Sequence, residues 1–397
     1  EDELRRLLEL GFVEESNSPH ASNLVIVKRK DGSIRICTDM RAINAKTISN
    51  GNRGADPQYL LNKAASCKFA SRIDLTNFFW QIPLTERSKQ YCSFNSPLGK
   101  LAWTVTPFGA KNSSKTAQQL MDFLFRNMRK AVSCFLDDLI VHTIGDFDMH
   151  LADLKAVLDK LREAGLTAKK SKCAFAVDRF EFLGHVIEGG RIYPGQQKLA
   201  AIDNLNAESI RTKKQVRSAL GLINYFRAFI PNMSEVALPL TAMLKKSEPD
   251  RVRWTEQCIE ALEKLKAALV RKPCLIPPDF TKTFHLFCDA AKGSIGAWLA
   301  QKDNDGKLHP IAFASHKLTP NQVNWSTIEK ELYAVVRSAT VDFKHYIYGT
   351  ETQLYTDHRP LAYLHSITDL SPRLARWAML LQPLNLVPNY IAGRLNT

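Results

Sequence analysis

The sequence predicts a multidomain α+β chain, and three observations carry that reading. Through residues 1–190 short apolar runs of strand character alternate with helical stripes. Residues 191–272 turn almost wholly helical and basic, and a proline-rich break, "RKPCLIPPDF", is followed by new strands. The expected domains are therefore 1–190, 191–272 and 273–397, with a boundary near Pro273. A chain of 397 residues is long enough for two to four domains with cores of their own.

The opening "DELRRLLELGFV" places Leu4, Leu7, Leu8 and Phe12 on one helical face. In "NLVIVKRKDGSIRICTD" an Asp-Gly pair between apolar alternations predicts a hairpin with an outward, basic turn. "KFASRIDLTNFF" reads as a strand with a polar end, and "AKNSSKTAQQLMDFLFRNM" as a helix with the stripe Leu120, Phe123, Leu124 and Met128. "AVSCF" and "LIVHT" flank two aspartates as a hairpin. Leu151, Leu154, Leu158 and Leu161 then recur at helical spacing until Gly165 supplies a stop. Helices such as "KKQVRSALGLINYFRAFI" and "EQCIEALEKLKAALV" fill 198–269. Beyond the break, "FHLFCDA", "SIGAWLAQ", "HPIAFASH" and "TQLYTD" read as strands and "TIEKELYAVVRSATVDFKHYI" as a helix.

Composition argues against disorder and against a membrane-spanning class: 45% of residues are hydrophobic, 24% are charged, and no apolar run reaches the ~18 residues of a spanning helix. The formal charge of +14 favours a polyanionic partner, and residues 191–272 hold 15 basic against 8 acidic residues, half of that excess. The eight cysteines, at 37, 67, 92, 134, 173, 258, 274 and 288, include no C-x-x-C pair, so reduced thiols rather than zinc are expected. The chain opens without methionine or signal peptide, which leads to the expectation of an intracellular piece of a longer precursor.

In "CFLDDLIVHT" the two charges of Asp137 and Asp138 interrupt an apolar strand with no adjacent basic residue, and Asp74 ends the strand-like "SRID". Carboxylates converging from separate strand ends suit Mg²⁺, and a pair of such ions suits in-line phosphoryl displacement. Neighbouring side chains of a flat strand point to opposite faces, so Asp137 and Asp138 cannot be equivalent ligands, and one is expected further out. The alternative is a turn carrying exposed acids.

The surrounding motifs weigh against that alternative. "SRIDLTNFFWQIPL", "TPFGAKNSS", "FLDDLIVHT", "AGLTAKKSKCAF", "FEFLGHVI" and "LGLINYFRAFI" follow one another in the order and spacing of reverse transcriptases from gypsy-type LTR retrotransposons. The chain resembles that family over essentially its whole length. The resemblance implies a right-hand polymerase of fingers, palm and helical thumb, followed by an RNase H-like α/β domain. It implies that Asp74 and Asp137 ligate two Mg²⁺ ions, with Mn²⁺ as an alternative, and that Asp138 supports them. The primer 3′-hydroxyl would attack the α-phosphate of a dNTP.

By the same resemblance Phe79 is the ring beneath the nucleotide sugar that disfavours a ribose 2′-hydroxyl. Arg35, and more loosely Arg29, would bind phosphate from the fingers hairpin. Phe108 and Gly109 would pack beside nucleotide and template, and 191–272 would track the template–primer backbone as the thumb. Three departures stand out: Phe135 replaces the usual tyrosine before x-Asp-Asp, "NFFWQI" stands where "GYHQI" is common, and "AKNSSKTAQ" where "LKNAPATFQ" is common.

After Pro273, "FHLFCDA", "EKELYAVV" and "LYTDH" resemble the RNase H domain that follows the polymerase in these elements. The resemblance assigns Asp289, Glu331 and Asp357 as catalytic, metal-binding carboxylates, again with two ions. Glu329 competes with Glu331 but points elsewhere around the helix. A fourth carboxylate is expected in an Ala-Asp pair just beyond Thr397, so the expectation for this chain is a loose C-terminus and weak RNase H activity.

The function implied is RNA- and DNA-directed DNA synthesis with RNase H cleavage. The partners implied are RNA template, DNA primer, RNA–DNA hybrid and dNTPs, with no membrane and a parent Pol polyprotein. The setting implied is the cytoplasm, a virus-like particle or the nucleus. The competing reading is a catalytically inactive or domesticated nucleic-acid-binding relic. A metal-dependent nuclease without polymerase activity ranks last, because it leaves the fingers hairpin and Phe79 unexplained.

Overall fold

The computed structural model describes residues 1–28, 32, 34–51, 54, 56–357 and 371–392, with Arg35 described in its backbone only. The chain forms two compact units, Glu1–Leu183 and Gly184–Thr397. Among the described residues no helix is long and apolar enough to cross a membrane, and none of the eight cysteines is in a disulfide.

In the first unit a four-stranded sheet runs in the order Val132–Phe135, Asp138–Thr143, Phe69–Asp74, Ala174–Val177, all neighbours antiparallel. Leu139, Ile140 and Val141 are each fully buried. A strand covered on both faces is what an uninterrupted apolar run produces, and the aspartates stand at its start, where it leaves the core. The helix Phe147–Glu163 packs on this sheet; Asp146 caps it by accepting from the Met149 amide at 2.8 Å. Its end is fixed by Gly165 at φ +67°, a left-handed position open to glycine at little cost.

The expected apolar stripes hold in part: Leu120, Leu124, Met128 and Leu154 pack half-buried against the core and Leu161 is inside it, whereas Phe123, Leu151 and Leu158 are exposed. The helix at 113–124 buries Ala117, Gln118 and Met121, while Phe123 is exposed with the Arg126 guanidinium over its ring. Met128 lies past the helix end. In the following helix His150, Val157 and Leu161 are buried, and Leu151 and Leu158 face outward. The polar His150 occupies a core position because its ring nitrogens meet Ser71 Oγ at 2.8 Å and Thr143 Oγ1 at 3.1 Å. Hydrophobic spacing has no way to register such a satisfied polar group.

The hairpin Leu24–Lys28/Ile34–Thr38 forms as expected, with Val27 opposite Arg35. The opening helix is Asp2–Glu9 and buries Leu4 and Leu7; Phe12 lies beyond it, in the chain that returns to the Leu7 carbonyl.

The second unit begins with the hairpin His185–Glu188/Arg191–Pro194. Helices follow at Gln196–Asp203, Lys213–Asn224 and Glu256–Val270, joined by shorter helical turns and loops. Thr212 and Gln215 form a reciprocal capping box at the second of them.

A five-stranded sheet then runs in the order Leu308–Lys317, Ser294–Lys302, Phe284–Ala290, Thr352–Thr356, Leu386–Tyr390; the first three strands are antiparallel and the last two parallel to Phe284–Ala290. Phe284, Leu286 and Cys288 face a core shared with Leu332 and Val335 of the helix Thr327–Arg337.

Candidate functional site: two carboxylate centres

The first centre stands where two strands of the four-stranded sheet emerge together. Asp74 and Asp138 are direct cross-strand partners, and Phe135 faces Asp138 across a two-residue turn made by Leu136 and Asp137. Leu136 has φ +58°, a left-handed conformation that a branched side chain adopts only under constraint. Gln118 supplies that constraint. Its Oε1 accepts from the Leu136 amide at 2.8 Å, and its Nε2 donates to the Cys134 carbonyl at 3.1 Å and to Asp122 at 2.9 Å. A buried glutamine thus clamps the incoming side of the turn that presents Asp137. The signal for it in the sequence is only a polar residue on an apolar helical face.

The acids divide by environment. Asp74 and Asp137 line a cavity of about 1280 Å³ together with Thr76, Phe79, Trp80, Phe108, Lys169 and Lys172. Asp138 instead pairs with Arg72 of the neighbouring strand at 3.3 Å. The basic partner absent from the local sequence is therefore provided across the sheet. Burial pushes the Asp138 carboxyl up, and Arg72 partly offsets it. Asp74 has Lys172 Nζ at 3.6 Å, and its carbonyl accepts from the Lys169 amide at 2.9 Å.

Phe79 lies in a single 3₁₀ turn, Phe78–Gln81, with its ring edge-on to Phe108 at 5.6 Å. Gln81 anchors that turn, accepting from the Thr167 amide at 2.7 Å and donating to the Thr167 carbonyl at 3.0 Å. The two unusual aromatics of "NFFWQI" are structural: Phe78 is buried, and Trp80 packs with Phe12, Trp103 and Phe108. Gly109 has φ +90°, and its carbonyl accepts from Asn44 Nδ2 at 2.8 Å. Arg29 lies outside the described residues, and of Arg35 only the backbone position opposite Val27 is described.

The second centre is tighter. Asp289 near the end of its strand, Glu331 on the helix and Asp357 just past Thr352–Thr356 bring carboxylate oxygens within 4.8 Å of one another. Glu329, the competing acid, is engaged elsewhere: it accepts from the Ser326 amide at 3.0 Å in a capping box and pairs with Arg373 at 2.8 Å. Glu331 is buried, and its Oε2 has no hydrogen-bond partner. Burial first, then the charges of Asp289 and Asp357, push its carboxyl up to about 8. Burial and Asp357 likewise push Asp289 up. An orphaned buried oxygen beside two further hard oxygen donors fits a divalent cation of the Mg²⁺ or Mn²⁺ type, which would supply both the missing partner and the missing positive charge.

An antiparallel sheet with carboxylates at its hairpin, followed by a mixed five-stranded sheet with an Asp-Glu-Asp cluster, is the arrangement that the resemblance implies for a polymerase palm and an RNase H-type domain. Residues 26–187 match the family described as reverse transcriptase (RNA-dependent DNA polymerase), and residues 279–384 match the RNase H-like domain found in reverse transcriptase. The whole chain aligns at 35% identity with 37% of the retrovirus-related Pol polyprotein from transposon 297 of Drosophila melanogaster. It aligns at 30% identity with 30% of the transposon Tf2-3 polyprotein of Schizosaccharomyces pombe. The chain thus spans about a third of the length of these curated relatives.

Among solved structures, a foamy viral protease-reverse transcriptase in complex with dsDNA matches with a TM-score of 0.85 and 26% identity, over 98% of this chain and 81% of that one. The same kind of protein in complex with an RNA/DNA hybrid matches with a TM-score of 0.80 and 26% identity, over 98% and 52%. The chain carries a reverse transcriptase domain followed by the RNase H-like domain found in reverse transcriptases, and it is similar to the Pol polyproteins of retrotransposons.

Proposed function

We propose that this chain copies RNA and DNA templates into DNA by adding dNTPs to a primer 3′-end, and that its second centre cleaves the RNA of RNA–DNA hybrids. The observation that carries the first activity is the shared cavity of Asp74, Asp137, Phe79 and Phe108. Asp74 and Asp137 would hold Mg²⁺, with Asp138 holding Arg72 and the strand pair in place. Bound there, a pair of divalent ions supplies charge stabilisation to the attacking and leaving oxygens of phosphoryl transfer.

The Phe79 ring, braced by Phe108, forms a wall against which a 2′-hydroxyl would clash, which selects deoxynucleotides. Lys169 and Lys172 on the cavity rim attract the triphosphate. Residues 1–190 would act as fingers and palm, 191–272 as a thumb whose basic surface follows the duplex backbone, and 273–397 as the hybrid-cleaving domain. In that domain Asp289, Glu331 and Asp357 would hold the ions.

The test is primer extension on a labelled RNA template with dNTPs and Mg²⁺, beside Asp74→Asn. Extension by the parent chain that disappears in the variant supports the assignment. Salt-sensitive hybrid binding without extension in either protein would favour the nucleic-acid-binding relic. In the same assay Phe79→Val should raise ribonucleotide incorporation; unchanged discrimination would remove Phe79 from the sugar pocket.

A further inference from the structure

A wall excludes a hydroxyl only if it cannot recede, and the backbone that carries the Phe79 ring has little regular structure to hold it. The ring stands on a lone turn of 3₁₀ helix, Phe78–Gln81, a conformation whose hydrogen-bond geometry is intrinsically poor. Asn77 precedes it in the left-handed conformation at φ +44° and makes no side-chain cap bond. Phe108 meets the ring edge-on at 5.6 Å, and the buried Phe78 stands 6.1 Å away. Neither ring contact fixes the main chain beneath Phe79.

The side chain of Gln81 does. Its Nε2 donates to the Thr76 carbonyl, just before the turn, and to the Thr167 carbonyl at 3.0 Å, while its Oε1 accepts from the Thr167 amide at 2.7 Å. One side-chain amide thus ties the exit of the turn to its entry, and both to a loop 86 residues further along the chain. Two carbonyls and one N–H meet here, and a primary amide is the side-chain group that offers two donors and an acceptor together.

The loop is a firm anchor. Leu166 is buried in the core of the first unit, and its amide donates to the Leu161 carbonyl at 2.9 Å. Ala168 bridges Leu75, the Thr76 amide donates to the Thr167 carbonyl at 3.0 Å, and the Lys169 amide donates to the Asp74 carbonyl at 2.9 Å. The strand end that carries Asp74 and the turn that carries Phe79 therefore rest on the same residues, 167–169.

We propose that Gln81 is a positioning residue for sugar selectivity. It holds the Phe79 ring at the depth where a 2′-hydroxyl collides, and without it the ring recedes and ribonucleotides enter. This rests on the proposed role of Phe79 as the wall of the sugar pocket. The margin is narrow, because a displacement of ~1 Å at a positioning group is enough to change rates by about 10²-fold.

The test is single-nucleotide primer extension by the full chain, with kcat/KM measured for dCTP and for CTP opposite the same template base. The variants are Gln81→Met, Gln81→Glu, Phe79→Val and Gln81→Met/Phe79→Val. Methionine keeps the length of the side chain and deletes all three bonds; glutamate keeps only the bond from the Thr167 amide. Both Gln81 variants should use CTP about tenfold better than the parent, and Phe79→Val should gain more. A rise in kcat/KM for CTP separates this role from a damaged fold, which lowers the values for both nucleotides. In the double variant Gln81→Met should add nothing, since the ring it positions is gone; a further gain there would overturn the proposal. If Phe79→Val gains CTP use while both Gln81 variants stay at or below the parent, the Gln81 assignment is overturned alone. If Phe79→Val gains none, the sugar-wall reading falls and this inference falls with it.

Discussion

At the first carboxylate centre each of two acids already has a cation, Arg72 at 3.3 Å from Asp138 and Lys172 at 3.6 Å from Asp74. At the second centre, among the described residues, no Lys or Arg pairs with Asp289, Glu331 or Asp357, and their oxygens crowd within 4.8 Å. The first arrangement tolerates the absence of metal because its repulsion is offset within the protein. The second stores its repulsion as an elevated proton affinity on Glu331. Two sites of similar composition should therefore depend differently on metal and pH.

The largest expected effect separates the two centres outright. Asp137→Asn should lower primer extension by about 10³-fold or more, some 4 kcal/mol of barrier, while hybrid cleavage continues. Glu331→Gln should do the converse, abolishing RNA shortening with extension intact. Parallel assays on one labelled hybrid read both. Loss of both activities in either variant would break the picture of two independent sites.

Next is a pH effect confined to the second centre. The folded state holds the Glu331 proton more tightly than the unfolded chain, whose carboxyl titrates near 4.5, so ionisation costs stability. The metal-free protein should lose stability as pH rises from about 4.5 to about 8, with the penalty complete above that. At roughly 1.4 kcal/mol per pK unit the penalty is on the order of a few kcal/mol. Glu331→Gln should remove most of it, raising the metal-free melting temperature at pH 8.5 and changing little at pH 5. Divalent cations should narrow the gap, since binding displaces the proton. Equal pH dependence in parent and variant would assign the strain elsewhere.

These residues also mark what the sequence made legible. The acids of both centres stood at strand ends or on a helix within recognisable motifs, so their identity could be read from local order. Their partners could not. Arg72 meets Asp138 because two strands pair in one register, and Gln118 reaches the Leu136 amide because a helix crosses the hairpin. The approach of Asn232 to Gly296, the cross-strand partner of Asp289, needs a segment some 64 residues upstream to pack on that strand. Two members of one helical stripe slipped for a related reason: Leu151 and Leu158 have the right spacing, but His150, satisfied by Ser71 and Thr143, takes the inward face beside Leu154 and Leu161.

Gln118 offers a smaller perturbation of the first centre. In Gln118→Ala the Leu136 amide and the Cys134 carbonyl both lose their partner beside a strained turn, at a cost of about 1–3 kcal/mol. The expected result is a fall of roughly ten- to a hundredfold in kcat for extension, with template–primer affinity retained. Hybrid cleavage serves as the internal control. An equal loss in both activities would mean that the substitution unfolds the chain rather than relaxing the hairpin.

The smallest effect concerns the lysine that marks the departure "AKNSSKTAQ". Lys115 donates to Ser49 Oγ at 3.0 Å and to the Asn50 carbonyl. It does not act alone on the segment 44–50. Lys111 reaches the Thr47 carbonyl at 2.7 Å, Asn112 Nδ2 donates to the Ile48 carbonyl at 2.9 Å, and Asn112 Oδ1 accepts from the Asn50 amide at 3.0 Å. Because these bonds share one short stretch, deleting a single half-buried member should cost about 1 kcal/mol or less. Lys115→Ala, which restores the residue common in the family, should thus leave the melting temperature nearly unchanged. It should speed hydrogen exchange at the Asn50 amide, whose bond to Asn112 then loses the support of Lys115. Unaltered exchange there would show that the remaining bonds, among them those of Asn112 and Gln119, fix the segment without Lys115.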